Sequence, residues 1–473
     1  MRKNLLILLL LVTARLVTSA QQWQDTVSKI EAIFSKYQSG KPGCMVSISR
    51  NGQVIYSKAW GLADLEHNVP LTTHSVTEAG SVSKQFTAAA ILLLEQQGKL
   101  STDDDVRKYI PELPDYGSLI RIRHLLHHAS GLRDWGAVAE IAGWPRTTKA
   151  YTNNDALDII IHQKALNYSP NEEFLYSNSN YNLLAIIVQR VSGMSLAEFT
   201  RKYIFGPAGM THTQWRDDYK RIVPDRAIAY SEDSGIYRTN MPNENAYGNG
   251  GLLTTTEDLL KWSEFYGSGK LGGAVFLRKQ LATENLNNGK PNEYGAGLFL
   301  FKQWGYDWIS HSGATAGYRA FLETFPQLHL SIAWLSNTSE FDGWNPVESL
   351  NMLFIPGNNQ ITQHQLQSTP IDDYAGRMNY DLNDYTGNYY SAEAQAGITV
   401  KAKVGKLWMV RPGGRTAELR MNGTDHSSGP AGLFDGESPT IDFIREKKKV
   451  TGFTITVPRA RNVLFVKNAG PGQ

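Results

Sequence analysis

A serine and a lysine stand three residues apart at the start of a strongly apolar segment of this 473-residue chain. The segment reads GSVSKQFTAAAILLLEQQGKL over residues 80–100, and it predicts a helix that is apolar almost all round from Phe86 to Leu94. Residues three apart share one face of a helix, so Ser81 and Lys84 would place a hydroxyl beside an amine. Burial lowers the pKa of a lysine, which can then accept a proton as arginine cannot. The pair could supply a nucleophile and its base, or Lys84 could simply extend from the helix to water.

Tyrosine, asparagine and histidine follow in two later motifs that could complete a site for acyl transfer. Tyr176-Ser177-Asn178 lies in PNEEFLYSNSNYNLL, and His311-Ser312-Gly313 lies in WISHSGATAGY. Two other Tyr-x-Asn matches occur, at 151–153 and 247–249. The first lies in a polar stretch and the second leads into GGLLTTTEDL, so we favour Tyr176 from its context.

In their order and spacing, these motifs resemble those of the serine hydrolases of the class C β-lactamase and penicillin-binding-protein superfamily, which includes D-aminopeptidases and esterases. The likeness covers roughly residues 25–355. It implies an α+β fold, with an antiparallel sheet flanked by helices and a helical subdomain. The matching segments are GSVSK at 80–84, IRHLLHHASGL at 122–132, YSNSNYNLL at 176–184, GNGGLLTTTEDLLKW at 248–262 and HSGATAGY at 311–318.

The resemblance also implies a role for each motif residue. Ser81 would be acylated, with Lys84 as its base partner, and Tyr176 would be the general base that later protonates the leaving group. A tyrosine with a pKa near 10 is a poor base unless a cation such as Lys84 stabilises its phenolate. Asn178 would hold the lysine amine and a substrate carbonyl. Substrate would also meet His311, Ser312, Gly313 and Ala314, and the backbone N–H groups of Ser81 and Ala314 would form the oxyanion hole.

His311 stands where β-lactamases and carboxypeptidases usually have lysine. Histidine is only partly charged near neutral pH, so a permanent cation for a substrate carboxylate is lost. This favours a D-aminopeptidase or esterase over a β-lactamase or D,D-carboxypeptidase, and leaves both amides and esters open as substrates. We expect a small-molecule or peptide substrate, including one derived from peptidoglycan, and no cofactor. The alternative is a catalytically weak relative that binds peptidoglycan fragments or peptides as a receptor.

Other chemistry has little support. Cys44 is the only cysteine, which excludes an intramolecular disulfide and a cysteine-based zinc cluster. His124, His127 and His128 have a spacing that could bind a metal on a helix, but no carboxylate at matching spacing completes the set. We therefore expect these histidines to pack, and we expect no metal site.

The N-terminus has the pattern of a secretory signal peptide: Arg2 and Lys3, an apolar run over 5–12, and small residues up to Ala20. We expect residues 1–20 to be removed and the protein to be exported to the periplasm or beyond the cell. No stable membrane span would remain, because the apolar run is far shorter than the roughly 20 residues that a span needs. Without Arg2, Lys3 and Arg15 the formal net charge falls from +2 to −1, which argues against a nucleic-acid partner.

The remaining patterns predict the elements that must position these residues. An amphipathic helix over 22–38 precedes a hairpin with Asn51-Gly52 at its turn, and strand character returns in three runs within 307–337. Such an order predicts one sheet assembled from both ends of a domain over 21–355, with a helical insertion beside it and a cleft between them. Residues 356–380 are polar and predict a linker. Short alternating runs then predict a small, barrel-like all-β domain over 381–473.

Overall fold

The computed structural model describes residues 21–38, 40–144, 149–356, 381–430, 433–434 and 438–468. The predicted signal peptide and all of the predicted linker except residue 356 lie outside the described residues.

The first part of the chain mixes helices with short and long strands, as the predicted α+β class requires. Its strands are β1 (Cys44–Arg50), β2 (Gln53–Trp60), β3 (Leu62–Asp64), β4 (Val69–Pro70), β5 (Thr77–Glu78), β6 (Gln214–Trp215), β7 (Tyr230–Asp233), β8 (Ile236–Thr239), β9 (Leu252–Thr254), β10 (Phe299–Gln303), β11 (Tyr306–Thr315), β12 (Tyr318–Phe325) and β13 (Leu330–Ser336). Its helices are α1 (21–34), α2 (Lys84–Gln96), α3 (Ile122–Leu126), α4 (Trp135–Ile141), α5 (Asn153–Ile161), α6 (Asn178–Ser192), α7 (Leu196–Thr200), α8 (Gly206–Ala208), α9 (Thr256–Gly267), α10 (Gly273–Gln280) and α11 (Trp344–Phe354).

The central sheet has six antiparallel strands in the order β10-β11-β12-β13-β1-β2. Strand β1 pairs with β13 from Cys44 opposite Ser336 to Arg50 opposite Leu330, so the two ends of the domain meet in one sheet, as predicted. Asn51 and Gly52 both have positive φ, 52° and 72°, which a tight two-residue turn between β1 and β2 requires. The predicted hairpin is therefore confirmed.

Each face of this sheet covers a separate core. Helices α1 and α11 pack on one face, through side chains such as Phe34 and Leu350 against Trp334. The helical region packs on the other face around α2, whose residues from Lys84 to Leu94 are all buried. Among the described helices, none alone is long and apolar enough to cross a membrane; α6 and the segment 196–208 reach that length and hydropathy only as a pair bent by 76°.

The second part of the chain is a closed barrel of eight antiparallel strands. Closure removes the free strand edges that would otherwise expose unpaired backbone groups, and β14 accordingly pairs with both β15 and β21. Apolar side chains such as Val400, Met409 and Phe453 alternate into its interior. The strands are β14 (Gly387–Ser391), β15 (Ala396–Lys403), β16 (Lys406–Val410), β17 (Thr416–Gly423), β18 (His426–Ser428), β19 (Thr440–Glu446), β20 (Lys449–Val457) and β21 (Ala460–Lys467).

Candidate active site

Ser81 lies in a 3₁₀ turn, Gly80–Ser83, that leads directly into α2. The helix predicted from Ser81 therefore begins with a tighter turn, in which Ser83 Oγ donates to Gly80 O at 2.5 Å. Strand β11 passes so close to this turn that a Cβ on Gly313 would lie 2.0 Å from Ala79 O, and one on Gly80 would lie 2.6 Å from Ala314 N. Glycine at both positions brings the backbone of Ala314 beside the Ser81 turn.

Lys84 is fully buried, and its amine has three polar partners. Nζ lies 3.1 Å from Ser81 Oγ, 3.0 Å from Asn178 Oδ1 and 2.5 Å from the carbonyl oxygen of Asn249. Desolvation lowers the pKa of the amine well below its ordinary value; the Asp134 charge opposes this shift. The site thus favours a neutral lysine amine in hydrogen-bond contact with a serine hydroxyl.

Tyr176 precedes α6, and its ring centroid is 4.7 Å from Lys84 Nζ. Its hydroxyl oxygen is buried and makes no hydrogen bond of normal geometry to a described residue, although the Ser81 hydroxyl lies close to it. Burial raises the pKa of this phenol above its ordinary value, although the nearby Ser81 hydroxyl and the Arg459 charge oppose the rise. The phenol is therefore protonated near neutral pH, and its oxygen keeps its hydrogen-bonding capacity for a group that enters the site.

Asn178, the first residue of α6, is held by Asp134. The carboxylate of Asp134 accepts the N–H of Asn178 at 2.6 Å and the N–H of Ala137 at 3.0 Å, so one side chain caps both α6 and α4. The sequence reasoning did not identify Asp134. An aspartate just before a helical segment marks a helix start, but nothing in that pattern indicates that its carboxylate contacts Asn178.

His311 is buried on β11 and is neutral. Its Nδ1 lies 2.6 Å from Ser312 O and its Nε2 3.0 Å from Tyr294 Oη, which assigns the proton to Nδ1 and lets Nε2 accept from the phenol. Desolvation, followed by the charge of Lys84, lowers its pKa to about 3. The partial charge expected of a histidine near neutral pH is therefore absent from this position.

The predicted site residues surround one cavity of about 910 Å³, a typical size for a small-ligand site. Lys84 lies behind Ser81, outside the lining. The lining contains Ser81, Tyr176, Asn178, His311, Ser312, Gly313 and Ala314, together with Asp134 and Asn249.

The other two Tyr-x-Asn segments have different positions. Tyr151 is buried against Trp135, at 5.6 Å between ring centroids. The 247–249 segment does reach the site, because the Asn249 carbonyl accepts from Lys84. That contact is made by the backbone, so no side-chain motif could have revealed it.

The three histidines near α3 engage different partners. His124 Nδ1 accepts the N–H of Arg121 at 3.2 Å, His127 Nδ1 donates to Tyr294 O at 2.9 Å, and His128 Nδ1 accepts the N–H of Ser177 at 3.2 Å. All three are buried. Their imidazoles take part in packing and in hydrogen bonds to neighbouring residues of the fold.

Comparison with known proteins relates this arrangement to a family. Residues 20–349 match the family described as Beta-lactamase. Penicillin-binding protein 4* of Bacillus subtilis (strain 168) is 32% identical over 312 residues, which cover 62% of this chain and 68% of that protein. D-aminopeptidase of Gluconobacter oxydans (strain 621H) is 31% identical over 301 residues; these cover 63% of this chain, but the chain spans only 56% of that relative.

A solved structure extends the likeness in fold to nearly the whole chain. The octameric penicillin-binding protein homologue from Pyrococcus abyssi aligns with a TM-score of 0.59 and 23% sequence identity, covering 94% of this chain and 99% of that structure. The alignment therefore includes the barrel as well as the sheet and its helices.

Proposed function

Since this chain belongs to the Beta-lactamase family and is a serine hydrolase, we propose that it cleaves an amide or ester through an acyl-enzyme formed on Ser81. One observation carries the proposal: the buried Lys84 amine, its pKa lowered, lies 3.1 Å from the Ser81 hydroxyl. A weak nucleophile becomes competent when an adjacent group can take its proton.

In the acylation step the Ser81 proton passes to the neutral Lys84 amine while Oγ attacks the substrate carbonyl carbon. The oxyanion that forms is held by the N–H groups of Ser81 and Ala314. The bond to the leaving group then breaks. The leaving group takes a proton from the Tyr176 phenol, and the Lys84 ammonium returns one to Tyr176. A water molecule then attacks the acyl-enzyme in place of the leaving group. The same proton transfers run in reverse, so Ser81 regains its proton and the acid is released.

The raised pKa of Tyr176 supports a role as proton donor to the leaving group, with Lys84 as the first proton acceptor. A phenol that begins protonated is suited to donate to the leaving group, whereas the first proton acceptor is more readily Lys84. The first base is therefore assigned to Lys84, and Tyr176 acts as the relay. Asn178 positions the lysine amine through its 3.0 Å contact and retains its amide N–H₂ for a substrate carbonyl.

Neutral His311 supports a substrate that does not place a carboxylate at the third motif. Together with the similarity to a D-aminopeptidase, this favours a D-aminopeptidase-like or esterase-like activity over that of a β-lactamase or D,D-carboxypeptidase. The substrate would be a small molecule or peptide, including one derived from peptidoglycan. The N-terminal signal pattern supports export, so the reaction would occur outside the cytoplasm.

The test is a hydrolysis panel on the protein and its Ser81→Ala variant, with a p-nitrophenyl ester, D- and L-alanine p-nitroanilides, a D-Ala-D-Ala peptide and a chromogenic cephalosporin. We expect turnover of the ester or the D-anilide, lost in the variant. Ser81-dependent turnover of the cephalosporin or D-Ala-D-Ala alone would contradict the inference that neutral His311 disfavours β-lactamase and D,D-carboxypeptidase substrates. Binding without any Ser81-dependent turnover would contradict the enzyme and indicate a receptor.

A further inference from the structure

The C-terminal barrel supplies part of the wall of the active-site cavity. The turn that joins β20 to β21 lines the cavity with Val457, Pro458 and Arg459. The carbonyl of Arg459 accepts the N–H of Asp134 at 2.9 Å, so the turn is tied to the residue that caps α4 and α6.

Buried contacts fix this turn in place. Arg133, which is almost fully buried, donates to Glu393 of the barrel at 2.6 Å, to Arg461 O at 2.9 Å and to Asn462 O at 3.1 Å. A buried charged side chain is stable only when it is paired. These bonds therefore hold the β20–β21 hairpin in a fixed position beside the cavity.

The Arg459 guanidinium is a cation with unused donors. Its side chain is 45% exposed, and Nη1 lies 3.7 Å from Asp134 Oδ2, beyond hydrogen-bonding distance. Within the described part of the chain it donates no hydrogen bond to a protein acceptor, and the Asp134 carboxylate already accepts two N–H groups. A guanidinium has five N–H donors in a planar fork, which suits a carboxylate.

Other charged groups that line the cavity have protein partners. Arg319 donates to two backbone carbonyls, and His311 is neutral. The acids that line the cavity lie near arginines: Glu78 bonds Arg216, Glu140 bonds Arg411, and Glu244 lies 4.0 Å from Arg216. Arg459 is thus the cation that the described lining best leaves open to a ligand.

We propose that Arg459 forms an anion subsite, and that the preferred substrate carries a carboxylate besides the bond that is cleaved. The inference rests on the proposed function and names a substrate class for it. The barrel would supply the permanent positive charge that β11 lacks at His311, but on the wall beside α4 and α6. The anionic group would accordingly extend along that wall and not along β11.

The test uses two substrate pairs that differ only in a negative charge. Succinyl-D-alanine p-nitroanilide and its methyl ester place the carboxylate on the acyl side; D-alanyl-glycine and D-alanyl-glycinamide place it on the leaving-group side. We expect the wild type to prefer the anionic member of at least one pair by roughly 10-fold in kcat/KM, as a charge-assisted hydrogen bond implies. Arg459→Gln should abolish this preference, because kcat/KM falls more for the anionic member than for the neutral one, and Arg459→Lys should retain part of it.

Arg420→Gln is the matched control, because Arg420 is exposed on β17 of the same barrel and does not line the cavity. It should behave as wild type. No charge preference in either pair, or a preference that Arg459→Gln leaves unchanged, would overturn the subsite. An equal loss for neutral and anionic members would also overturn it, and would instead show that Arg459 acts through Lys84 or Tyr176.

A binding measurement separates failure of the subsite from failure of the proposed hydrolase. In the Ser81→Ala background, calorimetry with the same four compounds should show tighter binding of the anionic member, and Arg459→Gln should remove that difference. Absence of turnover together with this charge preference would overturn the hydrolase and keep the subsite. Turnover without the charge preference would keep the hydrolase and overturn the subsite.

Discussion

Asn178 receives Lys84 Nζ on its side-chain oxygen at 3.0 Å and donates its backbone N–H to Asp134 at 2.6 Å. Lys84 and a buried carboxylate are therefore joined through one residue. The negative charge of Asp134 also favours the charged form of Lys84, against the desolvation that opposes it.

Asp134→Asn should change both the pH profile and the stability. Loss of the carboxylate removes a charge that raises the Lys84 pKa, so the amine becomes neutral at lower pH. We expect the acidic limb of the kcat/KM profile to move to lower pH. We also expect a loss of about 1–3 kcal/mol in unfolding free energy, because an amide has only one acceptor oxygen and leaves one of the two N–H groups unpaired. Asp105→Asn, which alters a cap distant from the cavity, is the control; it should not move the profile. A shift to higher pH in Asp134→Asn would contradict the assigned base.

Lys84→Arg should abolish turnover even though it keeps a positive charge. Arginine cannot accept the Ser81 proton, and loss of a positioned general base typically costs about 10²–10⁴-fold in rate. Pre-steady-state acylation with a p-nitrophenyl ester measures the step directly, and circular dichroism checks the fold. Retention of more than a tenth of the acylation rate would show that another group takes the proton.

Tyr176→Phe should lower the catalytic rate without lowering the stability. The Tyr176 hydroxyl is buried and makes no hydrogen bond of normal geometry to a described residue, so its removal should leave no buried group newly unpaired. We expect an unchanged or higher Tm and a fall in kcat of about 10²-fold, greater for anilides than for p-nitrophenyl esters, because nitrophenolate leaves without a proton. A lower Tm with unchanged kcat would assign the residue to packing.

Gly313→Ala should lower both the activity and the stability of the protein. The new Cβ would meet Ala79 O at 2.0 Å, and the clash separates β11 from the Ser81 turn. We expect kcat/KM to fall more than 100-fold, because an oxyanion-hole donor is displaced, with a stability loss of about 1–3 kcal/mol from overpacking. Gly267→Ala is matched, since that Cβ would meet nothing within 4 Å; its activity should be unchanged.

Glu323 should make the stability of the protein depend on pH. It is buried in β12, where it accepts from Trp308 Nε1 at 2.7 Å, and burial raises its pKa to about 8. The folded state therefore keeps a proton that the unfolded chain loses above about pH 4.3. Stability from this group is full below that pH and falls as the pH rises towards 8, by ~1.4 kcal/mol per unit.

Glu323→Gln keeps the shape and removes this titration. Thermal unfolding between pH 5 and pH 9 should show a smaller decrease in Tm for the variant than for wild type. Glu264→Gln, an exposed change on α9, should follow wild type. Parallel curves for Glu323→Gln and wild type would show that this carboxyl does not titrate with folding.

Each sequence motif is local, and the resemblance to a known family predicted that the three motifs meet; the structure places their residues around one cavity. The three-residue spacing of Ser81 and Lys84 survives in the fold even though their turn is a 3₁₀ helix, and the alternation of β11 carries His311 to the cavity. The neutrality of His311 depends on burial, which no motif encodes. Asp134 and Arg459 reach the site only through long-range packing, and their sequence surroundings carry no catalytic pattern. The Asn249 carbonyl lies in a segment that matches the family, but its contact with Lys84 is made by the backbone.

The Arg133–Glu393 pair links the barrel and the sheet domain in the thermodynamics of unfolding. If the barrel unfolded alone, Arg133 would lose its carboxylate partner and two carbonyl acceptors at once. Neither part can melt at its own temperature without that penalty, so the two should unfold together in a single calorimetric transition.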